Sequence, residues 1–181
     1  YGNNLCYIGG ITPIRGIGNI VDAFEKIRSN KLYIAGEFSS NKFKDELKQK
    51  KGWKNIINLG FISRKKAIEI KNNCFAGLVT FLPEKNHINS QPNKIFEYMA
   101  SGLCVIGSNF DLWKKIIEDH NVGICVDPEK PNEIHNAIKY LSENPDEVKK
   151  MRKNSIKAIK EIYNWSIEET KLLKLYKIYE N

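Results

Sequence analysis

The amino-acid sequence predicts an α/β domain built on a doubly wound, parallel six-stranded sheet. Two observations support this fold class. Short apolar runs rich in Val, Ile and Tyr alternate with amphipathic stretches of helical period, which is the pattern of repeated strand–helix units. Six such units follow one another along the 181 residues, and the common order for six parallel strands in this architecture is 3-2-1-4-5-6.

The predicted strands are the short apolar runs bounded by turn residues. In chain order they are Leu5–Ile8, Leu32–Ala35, Ile56–Leu59, Ala76–Thr80, Cys104–Ile106 and Gly123–Val126. Helices are predicted between them, where apolar side chains recur on one face. These faces carry Ile20, Ala23, Phe24 and Ile27 in the first helix, Phe43 and Leu47 in the second, and Ala67, Ile68 and Ile70 in the third. Residues 112–119 predict a short helix, and Pro131 begins a longer one.

The C-terminal part of the sequence predicts two further helices, separated by a break at Asn164-Trp165. Asn144-Pro145-Asp146 has the composition of a helix cap and first turn, and Ser166-Ile167-Glu168-Glu169 has the form of a capping box. The last helix carries the large apolar residues Leu172, Leu173, Leu175, Tyr176 and Tyr179. We therefore expect one domain over residues 1–163 and a helix over residues 164–181 that packs on this domain or on a neighbouring one.

Composition narrows the function classes. No stretch approaches the ~20 apolar residues of a membrane span, and no basic segment followed by an apolar run opens the sequence. The cysteines lie far apart and mostly in apolar runs, which is typical of reduced, buried thiols in a cytoplasmic protein; they are Cys6, Cys74, Cys104 and Cys125. The histidines lack the spacing of zinc ligands, so no metal site is expected; they are His87, His120 and His135.

The formal net charge of +8 is compatible with phosphorylated ligands, nucleic acid or anionic membranes as partners. Much of the excess is lysine that alternates with acidic residues on predicted helix faces, where it would contact water. Peripheral association with the inner face of a membrane and general solubility both fit this charge. Nucleic acid is disfavoured as a partner, because the basic residues are dispersed and no aromatic stacking platform lies among them.

A glycine-rich loop follows the first predicted strand. It runs from Gly9 to Gly16 and contains Gly10 and Arg15. Paired glycines let a ligand's phosphates approach the backbone, and the first turn of the next helix offers unpaired N–H groups. Arg15 would add a fixed cation. An ordinary turn with a surface arginine explains the same residues equally well.

A second, longer loop follows the fourth predicted strand, from Phe81 to Gln91. Long loops within compact domains are more often functional than incidental. Ser90 is predicted to cap the following helix, and Pro92 suits its first turn. The order 3-2-1-4-5-6 reverses between strands one and four, so the two loops should meet at the crevice where such sheets bind ligands. Two positive helix ends converging there would suit a diphosphate.

Glu97 lies within the helix after the second loop, between Phe96 and Tyr98. A carboxylate buried there would need hydrogen bonds, and the diol of a ribose supplies two donors. The alternative is that Glu97 is half exposed or pairs with Lys94, one turn earlier in the helix.

The sequence resembles the C-terminal domain of GT-B glycosyltransferases of family 4, also called glycosyl transferases group 1. The resemblance covers nearly the whole chain and is most specific in Pro92-Asn93-Lys94-Ile95-Phe96-Glu97-Tyr98-Met99-Ala100-Ser101-Gly102-Leu103-Cys104-Val105-Ile106. Weaker matches are Tyr7-Ile8-Gly9-Gly10 with Arg15-Gly16, Leu32-Tyr33-Ile34-Ala35-Gly36 and Ile57-Asn58-Leu59-Gly60-Phe61-Ile62. The resemblance implies a Rossmann-like sheet that forms the C-terminal half of a GT-B fold.

The resemblance implies a role for each matched position in holding a nucleotide diphosphate sugar. Glu97 would bind the ribose hydroxyls and Arg15 the diphosphate, and both are expected to serve catalysis. The backbone around Phe61 and Ile62 would border the base. The remaining donor-binding positions are Gly9, Gly10, Gly36, Asn89, Ser90, Gln91 and Lys94, of which the last three line the phosphate or sugar.

Two positions differ from the family pattern. Members commonly have a first glutamate eight positions before the second, and this chain has Asn89 there. Many have an arginine where this chain has Gly10. Asn89 can still hydrogen-bond a sugar hydroxyl, but it supplies no carboxylate.

The activity that the resemblance implies is transfer of a hexose-type sugar, with retention of configuration, to a glycan or lipid-linked acceptor. The donor is a UDP- or GDP-sugar, and neither a cofactor nor a metal ion is expected. Family members take the acceptor pocket from an N-terminal domain, so the chain alone is expected to bind donor without turnover.

Two other functions remain open from the sequence. A sugar-nucleotide 2-epimerase has two halves of the same architecture and would need no acceptor. A non-enzymatic basic module that binds nucleotides or nucleic acid would respond to salt and to no sugar nucleotide. The residues do not distinguish UDP from GDP, because base contacts of this kind are largely made by backbone.

Overall fold

The computed structural model describes residues 2–179, with the side chains of residues 178 and 179 outside the description. The described chain forms one parallel sheet in the order β3-β2-β1-β4-β5-β6, which confirms the predicted fold class and strand order. The strands are β1 (Asn4–Ile8), β2 (Leu32–Ala35), β3 (Ile56–Asn58), β4 (Cys74–Val79), β5 (Cys104–Ser108) and β6 (Gly123–Val126).

The helices flank this sheet. They are α1 (Ile17–Ala23), α2 (Asn41–Gln49), α3 (Arg64–Asn72), α4 (Lys85–Ile88), α5 (Asn93–Ala100), α6 (Asp111–Ile117), α7 (Pro131–Glu143), α8 (Pro145–Glu161) and α9 (Trp165–Tyr179). Short 3-10 turns lie at Pro13–Arg15 and Lys51–Asn55. The helix α1 packs against α7, and α5 packs against α8. Because right-handed crossovers that run in opposite directions along a sheet place their helices on opposite faces, both faces are covered.

The central strands are longer or shifted relative to the sequence prediction. The strand β4 begins at Cys74 rather than Ala76, because Asn4 on β1 pairs with Cys74 across a register shift. The strand β5 continues to Ser108, whose backbone pairs with Val126 on β6. Both β4 and β5 are buried along their whole length, as expected for strands covered on two faces.

Several local predictions were wrong. Phe24 and Ile27 were assigned to the first helix, but α1 ends at Ala23 and both residues are buried after it. Ile68 was assigned to a buried helix face, but it is 48% exposed and only Ile70 of α3 is fully buried. Ser166 does not cap the last helix, because α9 begins one residue earlier and the Ile167 N–H donates to Oδ1 of Asn164. Residues 81–91 are not all loop, since Lys85–Ile88 form the short helix α4.

The cysteines are free thiols in the sheet. Cys6, Cys74 and Cys104 are buried and Cys125 is half-buried. Burial raises the pKa of Cys104 and of Cys125 to about 12, so both thiols stay protonated at neutral pH. They therefore behave as small core side chains.

A close contact between α5 and β4 fixes the helix that carries Glu97. Gly77 of β4 lies under the Tyr98 ring, and a Cβ at Gly77 would overlap that ring. This approach lets the Tyr98 hydroxyl accept a hydrogen bond from the Ile8 N–H at the end of β1 (3.0 Å). The contact ties α5 to both strands at which the strand order reverses.

The last helix, α9, exposes much of its apolar surface. Trp165, Leu173 and Tyr176 are all more than half exposed. No helix in the described part of the chain is long and apolar enough to cross a membrane. The side chain of Tyr179, which the sequence analysis placed on this apolar surface, lies outside the description.

Replacing Tyr98 with Phe should destabilise the fold. The ring would still pack on Gly77, but the Ile8 N–H would lose its acceptor, at a cost of about 1–3 kcal/mol. Urea unfolding of Tyr98→Phe measures this cost. Tyr140→Phe is the matched control, because Tyr140 is largely exposed and its unfolding free energy should change by less than ~0.5 kcal/mol. Equal effects in the two variants would contradict the proposed tether.

Candidate functional site

The loops after β1 and β4 meet at the reversal of strand order, since these two strands are neighbours in the sheet. Together with the start of α5 they enclose a cleft of about 490 Å³. The cleft is lined by Arg15, Phe81, Asn86, His87, Ser90, Gln91, Pro92, Asn93, Lys94 and Glu97. The structure therefore brings five predicted site residues together: Arg15, Ser90, Gln91, Lys94 and Glu97.

Arg15 ends the 3-10 turn that follows the glycine-rich segment. Its guanidinium lies over the Phe81 ring, 4.3 Å from the centroid. An aromatic face attracts a cation without neutralising it. The ring therefore holds the guanidinium at the cleft and leaves its hydrogen-bond donors available to a ligand.

Lys94 is the second cation of the cleft, and it occupies space that Gly9 leaves open. A Cβ at Gly9 would overlap Nζ of Lys94, and the φ of +140° at Gly9 also disfavours a side chain. The same Nζ lies 5.7 Å from the centroid of the Tyr7 ring. Burial lowers the pKa of Lys94, and Arg15 lowers it further, while Glu97 acts in the opposite direction.

Tyr7 and Gly10 shape the loop beside this cation. The Tyr7 hydroxyl donates to the Gly10 carbonyl (2.6 Å), which fixes the turn after β1. Gly10 itself is exposed, and a Cβ there would meet no atom within 4 Å. Position 10 therefore has room for the arginine that many members of the resembled family carry there, but in this chain the residue is a glycine and supplies no positive charge.

Glu97 has an exposed side chain at the rim of the cleft. Within residues 2–179 it forms no ion pair with Lys94, and Arg15 and Lys94 have no carboxylate partner either. The sequence left two arrangements open for Glu97 besides ligand binding, exposure to solvent and an ion pair with Lys94. The structure shows the exposure and not the ion pair. The carboxylate oxygens are available as hydrogen-bond acceptors.

Glu97 also borders a second cleft, of about 630 Å³, between α3 and α5. This cleft is lined by Ile8, Arg64, Ala67, Ile68, Lys71, Asn72, Glu97, Tyr98, Ala100 and Ser101. The exposure of Ile68 is explained here, since its side chain lines an open cleft instead of the core. Because Glu97 borders both clefts, one extended ligand could occupy the two and contact this carboxylate between them.

The remaining predicted positions lie outside the lining of both clefts. Phe61 and Ile62 follow β3, where Phe61 is 80% exposed and Ile62 is half-buried. Gly36 follows β2, and its N–H donates to the Gly60 carbonyl (2.8 Å), which joins the ends of β2 and β3. Asn89 is exposed, and its side chain donates to the Lys85 carbonyl within its own loop (3.4 Å).

Side chains from distant parts of the chain hold the loop after β4. The Ser108 hydroxyl donates to the Phe81 carbonyl (2.7 Å), and Trp113 Nε1 donates to the Ser90 carbonyl (2.7 Å). Ser90 does not cap α5 as predicted, because its hydroxyl donates to the His87 carbonyl and Pro92 stands at the N-cap position.

The sequence does not predict several of the lining residues. Phe81 is the first residue of the predicted loop, and nothing in the pattern predicts that Arg15 lies over its ring. No motif in the sequence assigns a binding role to Asn86, His87, Asn93 or Arg64. The contact between Phe81 and His87 joins residues six positions apart and appears only in the structure.

The arrangement suits an anion that carries hydroxyl groups. Two cations that have no carboxylate partner among residues 2–179 flank the cleft, one exposed carboxylate stands at its edge, and the first turn of α5 adds backbone N–H groups. In the part of the chain that the structure describes, no three His, Cys, Asp or Glu side chains come together as metal ligands.

Comparisons with known proteins place this fold among glycosyltransferases. The C-terminal domain of a glycosyl transferase group 1 family protein, LpcC of Francisella tularensis, matches with a TM-score of 0.76 and 22% identity over 90% of this chain and 86% of that one. HepE of Anabaena, solved in complex with UDP, matches with a TM-score of 0.82 and 15% identity over 97% of this chain and 49% of that one.

A sucrose synthase of Denitrovibrio acetiphilus is 30% identical over 89 residues, which are 47% of this chain and 11% of that protein. The chain thus spans a small part of this relative and about half of HepE. The family model described as glycosyl transferases group 1 matches residues 2–158. This matched range contains the strands of the sheet and the residues that line both clefts. The chain therefore belongs to the glycosyl transferases group 1 family.

Proposed function

We propose that this chain is the donor-binding half of a retaining glycosyltransferase that transfers a hexose-type sugar from a nucleotide diphosphate. The observation that carries the proposal is the convergence of Arg15, Lys94 and Glu97 on one cleft at the reversal of strand order. Doubly wound sheets bind their ligands at this point.

The two cations hold the diphosphate. Phosphate oxygens accept charge-assisted hydrogen bonds from Arg15 and Lys94, and the first turn of α5 contributes backbone N–H groups. As the bond to the sugar breaks, negative charge grows on the diphosphate, and positive groups fixed in advance stabilise that charge more than the ground state. The cations supply this stabilisation without a metal ion or cofactor.

Lys94 also supplies the positive charge that an arginine at position 10 would otherwise provide. Its ammonium group lies against Gly9, next to the position where many family members have that cation. In this chain the second positive charge therefore comes from α5 and not from the loop after β1.

Glu97 binds the ribose, and the nucleoside occupies the 630 Å³ cleft between α3 and α5. The carboxylate borders both clefts, so it stands where the ribose would join the diphosphate. The base would reach past the lining of this cleft to Phe61 and Ile62, which follow β3. Ser90 and Gln91 would line the phosphate and sugar side.

The comparisons support a UDP-sugar as donor, since HepE was solved with UDP and with UDP-glucose. The acceptor, a glycan or lipid-linked molecule, would be bound by an N-terminal domain, and the exposed apolar side of α9 would pack on that domain. The chain alone would bind donor without turnover. Residence on the cytoplasmic face of a membrane, by peripheral contact, is compatible with the net charge of +8.

Thermal unfolding of the 181-residue chain tests the proposal. A ligand that binds only the folded state stabilises it by about 2.7 kcal/mol at a concentration of 100 times its Kd. UDP, UDP-glucose, GDP and GDP-mannose should be compared, with the unlinked sugars as controls. A rise in the midpoint with one nucleotide pair supports donor binding, whereas no shift with any nucleotide contradicts it.

Replacing Arg15 with Ala should weaken binding of the preferred nucleoside diphosphate by about 1.5–3 kcal/mol, because a charge-assisted hydrogen bond to phosphate is lost. Titration calorimetry measures the change. Arg28→Ala is the matched control, since Arg28 is an exposed arginine outside both clefts and its loss removes the same charge. Equal affinities of the two variants would contradict the role of Arg15.

Gly9 and Lys94 should act as one unit in a double-mutant cycle. Lys94→Ala removes the ammonium group together with the side-chain atoms next to Gly9, and it should weaken diphosphate binding by about 1.5–3 kcal/mol. Gly9→Ala should weaken binding as well, because the added methyl group displaces Nζ. In the Lys94→Ala background, Gly9→Ala should change the affinity little. Additive losses would mean that Gly9 serves the ligand independently of Lys94.

A further inference from the structure

His87 lines the 490 Å³ cleft and is only 6% exposed. Its Nδ1 lies 3.0 Å from the Leu82 carbonyl. A carbonyl oxygen can only accept, so Nδ1 carries the proton in this hydrogen bond. In the neutral ring Nε2 is then a hydrogen-bond acceptor, on the edge turned away from the Leu82 backbone.

The Nε2 atom has no hydrogen-bond partner among the residues that the structure describes. It is not sealed in the core either. The buried side-chain nitrogens and oxygens without a partner in residues 2–179 are the hydroxyls of Thr12 and Thr80. Because His87 lines the cleft and its Nδ1 is already bonded, Nε2 is the ring nitrogen with which it can bond a ligand there.

The imidazole ring is firmly held. It packs on the Phe81 ring with the centroids 4.9 Å apart, and Phe81 in turn contacts Trp113 and lies under Arg15. The Ser90 hydroxyl and the Trp113 indole fix the backbone on either side of the same loop segment. An acceptor held in this way can select the orientation of a ligand.

On the proposed function, the hydrogen-bonding chemistry of His87 assigns a part of the donor to it. His87 lines the 490 Å³ cleft together with Arg15 and Lys94, and it does not line the nucleoside cleft that Glu97 also borders. The diphosphate and the transferred sugar would occupy the 490 Å³ cleft, and of these two only the sugar carries hydroxyl groups. A hydroxyl that donates to His87 would therefore belong to the transferred sugar.

We propose that His87 Nε2 accepts a hydrogen bond from a hydroxyl group of the transferred sugar and so helps select it. A neutral imidazole acceptor suits a hydroxyl and not an ionised phosphate oxygen, which has no proton to donate. The family resemblance places this contact at position 89, but Asn89 is bonded to the Lys85 carbonyl and lies outside the cleft lining. In this chain the contact with the sugar would come from position 87 instead of position 89.

Two substitutions of His87 separate sugar recognition from loop structure, because each keeps a hydrogen-bonding atom near only one of the two ring nitrogens. His87→Asn keeps an N–H near the position of Nδ1, which can still donate to Leu82, but it has no atom at the position of Nε2. His87→Gln retains an amide near Nε2 and loses the bond to Leu82. Titration calorimetry on the 181-residue chain compares UDP with UDP-glucose and GDP with GDP-mannose for each variant.

The expected result is that His87→Asn binds the preferred diphosphate as the unsubstituted chain does, but binds its sugar conjugate about three- to tenfold more weakly. His87→Gln should retain more of the sugar's contribution than His87→Asn does, with a lower unfolding midpoint from the lost loop bond.

Three results would overturn the inference. Equal weakening of diphosphate and conjugate in His87→Asn would show that His87 only shapes the loop. An unchanged ratio of the two affinities in His87→Asn, for both nucleotide pairs, would show that the sugar does not use Nε2. Loss of the sugar's contribution in Asn89→Ala but not in His87→Asn would return the contact to position 89. If no diphosphate binds the unsubstituted chain, the proposed function fails and the inference fails with it.

Discussion

The close approach of α5 to the sheet is the constraint on which the rest of the site depends. Because Gly77 has no side chain, the Tyr98 ring lies directly on β4, and its hydroxyl reaches the backbone at the end of β1. One aromatic residue thus joins the helix to both strands of the central pair. Glu97 is adjacent to Tyr98 in α5, and Lys94 lies one turn earlier, so both polar groups are positioned by a contact made entirely in the core. Burial raises the pKa of Tyr98 well above its usual value, so the hydroxyl remains neutral at neutral pH.

Two positive charges lie at the cleft, and no carboxylate among the described residues forms an ion pair with either of them. Arg15 and Lys94 each lie over an aromatic ring, which stabilises a cation while leaving its donors open. The lowered pKa of Lys94 shows the cost of this arrangement, since burial and the neighbouring arginine both disfavour its charged form. A bound anion would relieve the repulsion between the two cations. This relief favours a negatively charged ligand such as a diphosphate over a neutral one.

The sequence predicts the frame of the site well and its lining less well, for a physical reason. Strand order and the convergence of Arg15 with Glu97 follow from rules about parallel sheets, in which the loops at the carboxyl ends of neighbouring strands must meet. His87 and Asn89 could not be placed in this way. Their orientation depends on α4 and on bonds from Ser108 and Trp113 to the loop backbone, both formed by residues more than twenty positions away. The sequence also does not predict that Lys94 occupies the space beside Gly9, because Gly9 lies in the loop after β1 and Lys94 lies in the helix α5 after β4.

On the proposed function, donor binding and sugar transfer would be separable. Each residue that we assign to the nucleotide and the sugar belongs to the sheet, its loops or α5, and the supporting contacts also come from within the described chain. The affinity for donor should therefore reside in this domain and survive without any other. Transfer also needs an acceptor hydroxyl held in line with the bond to the sugar, and positioning of that kind contributes several kcal/mol to a reaction barrier. We assign no residue of the two clefts to that task. On the proposed function, the acceptor would therefore approach from the open side of the cleft, which another domain would cover.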